Sequence, residues 1–211
     1  MKKLLTLFTL LLGIISTNQA QHSIGLITGT TPAYDVFGQG SDNFVFQLDP
    51  DFLNAFRYGV RGQIQLSKLQ SVQVGIDRYN QDFRLQIDSN FGFIYHNYDL
   101  SYAQILSLGS IDFHLPDTYN GWIPFFGAKY GLSVDILLQE TKNDIIQTQT
   151  DFNKIVLNGV AGSFVGIQKG HLKLTGICNM QVSANSIINP DIIGSTRQYD
   201  ISLLIYAGVI F

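Results

Sequence analysis

From residue 23 onward, apolar and polar positions alternate along the chain with a period of two. In residues 199–211 one face reads Tyr199, Ile201, Leu203, Ile205, Ala207, Val209, Phe211, and the other Asp200, Ser202, Leu204, Tyr206, Gly208, Ile210. In 56–66, Phe56, Tyr58, Val60, Gly62, Ile64 and Leu66 oppose Arg57, Gly59, Arg61, Gln63 and Gln65. In 122–138, the even positions from Trp122 to Leu138 are apolar, against Lys129, Gly131, Ser133 and Asp135. In 172–182, Leu172, Leu174, Gly176, Cys178, Met180 and Val182 oppose Lys173, Thr175, Ile177, Asn179 and Gln181. Strict alternation over such lengths predicts strands, not helices. Residues 23–34, 72–77, 98–115 and 152–168 alternate less cleanly. In 98–115, Tyr98, Leu100 and Tyr102 hold one parity and Ile111, Phe113 and Leu115 the other, which predicts a bulge near Ala103–Gln104.

These segments make eight strands with no helix between them. The connections alternate in length. Short ones lie near 67–70, at 116–121 (PDTYNG) and at Lys169–Gly170; long polar ones cover roughly 35–54, 80–97, 139–151 and 183–198. Short turns at one end and long loops at the other are the asymmetry of an outer-membrane barrel, and an even strand count puts both termini at the short-turn end. The expected fold is all-β, an eight-stranded antiparallel up-and-down transmembrane β-barrel.

The first twenty residues read differently. Met1-Lys2-Lys3, an apolar run over 4–15 and a small polar stretch ending at Ala20 make the layout of a secretory signal peptide. We expect a signal peptide over 1–20 and a single barrel domain over 21–211. The apolar run is shorter than the about 20 residues a spanning helix needs, and no later run reaches that length. A chain that crosses a membrane without such a helix must do so as a closed barrel, because lipid cannot satisfy open backbone groups.

Alternation alone does not say which face meets lipid, since a secreted lipocalin-like barrel also alternates, with its apolar set inward. Composition decides for lipid. Only 14% of the 211 residues are charged and 45% are hydrophobic, so a water-exposed wall would be short of charge. The cleanest apolar ladders carry no charge, while Arg57, Arg61, Asp77, Lys129, Asp135, Lys173 and Asp200 all fall on the opposite face. Aromatics gather near strand ends: Trp122 and Phe113 at a short turn, Tyr79, Tyr95 and Tyr98 at long loops, which suits two interfacial girdles. The final strand ends on Phe211 and resembles the signal read by the outer-membrane insertion machinery, although Tyr206 stands where that signal often has Gly. A net charge of −3 argues against a nucleic-acid partner, and a lone Cys178 excludes a disulfide scaffold.

The middle of the chain, Ser101-Tyr102-Ala103-Gln104-Ile105-Leu106-Ser107-Leu108, a turn, then residues 122–131 (WIPFFGAKYG), is similar to the PorT-like outer-membrane β-barrel domain family of Bacteroidetes. Gln104 stands where that family usually has Glu, and Ser107 where it usually has an apolar residue. The resemblance implies an eight-stranded barrel in the outer membrane of a Gram-negative cell. The family's namesake assists a protein secretion system, while most of its members have no assigned role.

Charges pointing into so narrow a barrel need partners, because an unpaired buried charge is costly. The seven inward charges are therefore the candidate site, read as a structural polar network: Arg57 and Arg61 with Asp77, Lys129 with Asp135 on one strand, Asp200 with Lys173. His22, His96, His114 and His171 show no metal-ligand spacing. No catalytic, cofactor or metal site is expected. Ser101, Asp99 and His96 are the weak case for a rim-located lipid-modifying enzyme, and the acidic, Gly-containing stretch 35–54 the weak case for a calcium loop. The expected function is that of a non-enzymatic outer-membrane barrel, a structural or interaction platform, with secretion-system proteins and outer-membrane lipid as partners. The alternatives are a lipid-modifying enzyme and a secreted ligand-binding barrel.

Overall fold

The computed structural model describes residues 22–39, 56–89, 92–116, 120–142, 145–146, 151–188 and 195–211; side chains are described outside 32–39, 83–96, 145–146 and 195–196. The stretch read as a signal peptide lies outside the described residues, as does most of 35–54. The strands are β1 (Ser23–Gln39), β2 (Phe56–Gln65), β3 (Gln70–Ser89), β4 (Gly92–His114), β5 (Ile123–Lys142), the two-residue β6 (Ile145–Ile146), β7 (Ile155–Lys169), β8 (Leu172–Ser183) and β9 (Ser195–Ile210). All pairings are antiparallel. Apart from β6, which adds only to the end of β5, each strand pairs with its neighbours in sequence, and β1 pairs with β9. The eight long strands thus form a closed up-and-down barrel. No helix among the described residues is long and apolar enough to cross a membrane. The first and last described residues meet: Phe211 N donates to His22 O at 2.8 Å, and His22 N to Phe211 O at 3.2 Å. The short turns at this end need left-handed backbone, supplied by Asn120, Gly121 and Gly170 at φ of 55°, 77° and 53°.

The alternation in sequence becomes an inside and an outside. On β2, Phe56, Tyr58 and Val60 are exposed while Arg57 and Arg61 are buried. On β9, Ile201, Leu203, Ile205 and Val209 are exposed while Asp200, Ser202, Leu204 and Tyr206 are buried. The outward residues form a continuous belt, with no charge on it between Arg78 near its upper margin and Lys169 at its lower one. Along β4 the belt runs from Ala103 to Phe113, about 25 Å of barrel height at ~3.3 Å per residue and ~40° of tilt.

Three expectations are corrected. First, β4 has no phase switch at Ala103–Gln104: Tyr98, Leu100, Tyr102, Gln104, Leu106, Leu108, Ser110 and Asp112 all point inward. The irregularity sits on the neighbouring strand, where Ser101 pairs with Gln139 but Tyr102 with Leu137, leaving Leu138 as the extra residue. The apolar parity was misread because the upper lumen is itself apolar. Second, Tyr79 and Tyr98 belong to no girdle; both are buried inside the barrel. Among the described residues the exposed aromatics are Phe56, Tyr58 and Tyr199 toward the long-loop end, Phe113, Trp122, Phe126 and Phe211 toward the short-turn end, and Tyr130 within the belt itself. Third, residues 80–97 are not a loop: β3 and β4 stay paired from Asn80↔Ser101 up to Ser89↔Gly92. A second bulge lies in β1 between Thr30 and Ala33, where Thr31 and Pro32 together face Ser202. A proline without an N–H is tolerated at such a break in the ladder.

Candidate functional site

The lumen is the one place where this sequence concentrates charge. The inward side of each strand supplies it, and inward glycines make room for it. A Cβ on Gly75 would lie 2.5 Å from the Arg61 side chain, and one on Gly59 2.5 Å from Asp77 Oδ1. Near the termini-side end, Arg61 clamps Asp77 with two bonds, Nε to Oδ1 at 3.2 Å and Nη2 to Oδ2 at 2.5 Å, both side chains fully buried. Its Nη1 and the Lys129 ammonium both donate to Gln73 Oε1, at 3.3 and 3.0 Å. Below them Ser71 and Ser110 donate to Asp112 at 2.8 and 2.7 Å, and Gln63 joins this group to Lys173 (2.9 Å). Lys129 and Lys173 lie over the rings of Phe164 and Phe125, at 5.0 and 4.6 Å. The rest of this level is apolar: Ile27, Phe125, Phe164, Ile177, Leu204 and Tyr206 pack into one cluster.

Toward the long-loop end a second polar layer centres on Asp135. Its carboxylate accepts from Tyr79 (2.9 Å), Gln104 (2.7 Å), Asn158 (2.7 Å) and Gln181 (2.9 Å). Arg57 donates through Nη1 to Gln104 at 3.2 Å and lies 4.4 Å from the Tyr79 ring centre. Asp200 accepts from Gln198 at 2.5 Å, and Gln198 also donates to Gln81 at 3.2 Å. Several buried atoms of this layer have no hydrogen-bond partner: Arg57 Nε and Nη2, Thr31 Oγ1, Asn179 Oδ1 and Ser202 Oγ. They come from β2, β1, β8 and β9, which are consecutive around the wall.

Of the seven sequence-named charges, Arg61 and Asp77 are the two that the structure joins as an ion pair. Arg57 instead meets a carboxamide and a ring. Lys129 and Asp135 belong to different layers. Asp200 and Lys173 do not meet, because in the β8–β9 register Asp200 stands opposite Gln181 and Lys173 opposite Gly208. The residues that complete the network, Gln63, Gln73, Gln104, Asp112 and Tyr79, carry a visible signal only in their parity: each occupies an inward position of its strand. Asp99 and Ser101 face outward on the outer wall, in a polar depression with Arg78, Asn80, Asp82, Gln139 and Thr141. The side chain of His96 is outside the described residues. Among the described residues no three His, Cys, Asp or Glu side chains group as metal ligands.

Above the Asp135 layer lies a second apolar cluster of described residues. Phe152, Ile187 and Ile188, each at most 3% exposed, descend onto Tyr79, Tyr98, Leu100, Tyr102 and Val156. The segments that carry them are joined by a bridge between Phe152 and Ile188, and Asn153 donates from its side chain to Ser186 O at 2.7 Å. They are fastened to the wall by backbone bonds, Leu137 N to Lys154 O at 2.9 Å and Ala184 N to Leu157 O at 2.6 Å, and by side chains. The Glu140 carboxylate accepts from Asp151 N (3.1 Å) and Phe152 N (3.3 Å). Asp151 accepts from Tyr98 Oη (2.8 Å) and Lys142 Nζ (2.9 Å). Burial raises the Glu140 carboxyl above its ordinary value, while the two N–H donors pull the other way. Burial, helped by the Asp151 charge and opposed by Lys142, pushes the Tyr98 phenol up to about 12. For Lys142 burial works against the ammonium, but its Tyr98 and Asp151 partners outweigh it and raise the value.

No protein-family model matches the chain, and no curated protein matches it. The chain is similar in structure to Ail, the attachment invasion locus protein of Yersinia pestis, solved with the heparin analogue sucrose octasulfate. The identity is 11%, the likeness covers 91% of this chain and 97% of that one, and the TM-score is 0.46. It is also similar to neisserial surface protein A (12% identity, 90% and 98% covered, TM-score 0.40). A third such structure is the outer membrane protein OprG of Pseudomonas aeruginosa (11%, 91% and 95%, TM-score 0.39). These are distant likenesses, and no activity passes through them. None of them supports the PorT-like resemblance.

Proposed function

We propose that the chain is an integral β-barrel of the bacterial outer membrane that works without catalysis, as a structural element or a platform for interactions. One observation supports this best: a closed barrel carries an uncharged apolar belt on its outer wall and turns its charges toward its axis. In water that arrangement would expose Leu26, Ile76, Leu132, Val165 and Leu203, each at 50% or more, to solvent all around the molecule. A patch of this size on a soluble protein would drive association. In lipid the same belt is favourable, and the closed ladder leaves no open edge among the paired strands. The reading without catalysis is supported by the lumen, whose charged groups among the described residues lie against neighbouring polar side chains or aromatic rings. A role beside a secretion assembly rests on the sequence resemblance of residues 101–131 alone.

The test is placement in the membrane combined with one substitution. The full chain should fractionate with the outer membrane, resist carbonate extraction, and migrate differently in a gel before and after heating. Leu203→Arg, in the middle of the belt, should cost about 2–4 kcal/mol and abolish the heat-sensitive form. A wild-type protein recovered in the soluble fraction, or a Leu203→Arg variant that assembles normally, would defeat the reading.

A further inference from the structure

The outer wall of the barrel is not uniform around its circumference. On the strip formed by β3, β4 and β5, two hollows follow one another along the strands. The lower one, about 590 Å³, lies inside the apolar belt. At its floor is Ser107, a small residue paired with Val74 on one side and Leu132 on the other. Ile76, Ile105 and Val134 make the next outward row above it. Below it the Tyr130 ring lies across Gly109, where an added Cβ would come within 3.2 Å of the ring. No charged side chain lines this hollow.

The upper hollow, about 440 Å³, is polar and lies above the belt. Arg78 stands between the two. It pairs with Ala103, one outward row above Ile105, and its Nη2 reaches up to donate to Ser101 Oγ at 3.5 Å. Asn80, Ser101 and Gln139 form the next row. Asp82 and Asp99 come last, directly opposite each other on paired strands. Like charges at opposed positions weaken a sheet, and a cation between them offsets this.

From the middle of the belt outward, the strip therefore offers an apolar hollow, a guanidinium, a band of neutral hydrogen-bonding groups and two carboxylates. Ser107 and Asp99 lie on one strand, β4, about 20 Å apart in barrel height at ~3.3 Å per residue and ~40° of tilt. The complementary amphiphile carries an acyl chain, a phosphate next to it and an ammonium beyond the phosphate. Guanidinium matches phosphate through its planar fork. Carboxylates match a primary ammonium, which has three hydrogen bonds to donate. A purely anionic head would set its charge against Asp82 and Asp99, and a quaternary amine has no N–H to give them.

We propose that the β3–β4–β5 strip binds a phosphoethanolamine-headed lipid, with an acyl chain over Ser107, the phosphate on Arg78 and the ammonium at Asp82 and Asp99. The inference rests on the reading of the belt as a lipid-facing surface and deepens it, by naming the lipid that this part of the wall selects.

Native mass spectrometry of the folded, full-length protein tests it. Phosphatidylethanolamine, phosphatidylcholine and phosphatidylglycerol with identical chains are titrated separately into the detergent-held barrel. The ethanolamine lipid should be retained at about tenfold lower concentration than either of the others. Arg78→Gln should weaken the ethanolamine and choline lipids alike. Asp99→Asn, and independently Asp82→Asn, should bring the ethanolamine lipid to the level of the choline lipid and leave the choline lipid unchanged. Ser107→Phe, which fills the lower hollow, should weaken all three. Equal retention of the three lipids overturns the proposal, as does a preference for the glycerol lipid. So does an ethanolamine preference that survives Arg78→Gln and Asp99→Asn. These side chains lie on the outer wall, so each variant should keep the heat-sensitive form. A chain absent from the outer membrane defeats the membrane reading; a heat-modifiable barrel there, without head-group preference, defeats this inference alone.

Discussion

At the scale of single residues, the lumen shows which charges can be left alone with a neutral partner and which cannot. Arg57 sits beside a carboxamide and over the Tyr79 ring, and the carboxyl groups of Asp135 and Asp200 stand in the same layer. Arg61 has no such latitude: both of its forked edges are used, on Asp77 and Gln73, in a fully buried setting. Removing one partner of a buried pair leaves the other uncompensated, at a typical cost of about 3–5 kcal/mol. Asp77→Ala should therefore lower the unfolding midpoint sharply in a denaturant titration. The double change Arg61→Met with Asp77→Leu should recover most of that loss; a double variant as weak as the single one contradicts this account. The sequence placed both residues inward by parity, and their adjacency on paired strands made the match legible. Gln73 and Gln104 were not legible, because a carboxamide at an inward position looks the same in sequence whether it bridges two charges or faces water.

At the scale of elements, alternation located every long strand but misjudged where strands stop. Polar residues in 80–97 still pair, since above the belt both faces of a strand can be wet and the period-two signal fades while the backbone ladder continues. The bulge was misplaced for a related reason. Leu100 and Tyr102 are apolar because Phe152, Ile187 and Ile188 pack into one cluster with them, so their parity matches that of a lipid-facing residue. Burial raises the Glu140 carboxyl, so its contribution to stability is present below the ordinary carboxylate value and is lost as pH rises through the raised value. In denaturant titrations, Glu140→Gln should flatten the fall of the unfolding midpoint with rising pH, and an unchanged pH profile would reject the assignment.

At the scale of the whole molecule, apolar clusters of described residues fill the lumen at two heights. Planar-bilayer recordings should therefore show no sustained ion conductance, and steady conductance would mean that these clusters leave the axis open. What the sequence determined by itself was the wall: strand number, the antiparallel up-and-down order, the short turns at the terminal end, and the division of each strand into an uncharged and a charged face. A period-two pattern is a local property, written in neighbouring residues, and closure follows once every strand needs a partner. What only the tertiary structure decided was the contents of the lumen and the segments packed above it. Those depend on which inward residues meet across the axis, and that is set by strand register, by extra residues such as Leu138, and by segments folding back over the mouth. Glu140 meets the backbone of Asp151 and Phe152 only because all of these agree in three dimensions, and no spacing along the chain encodes it.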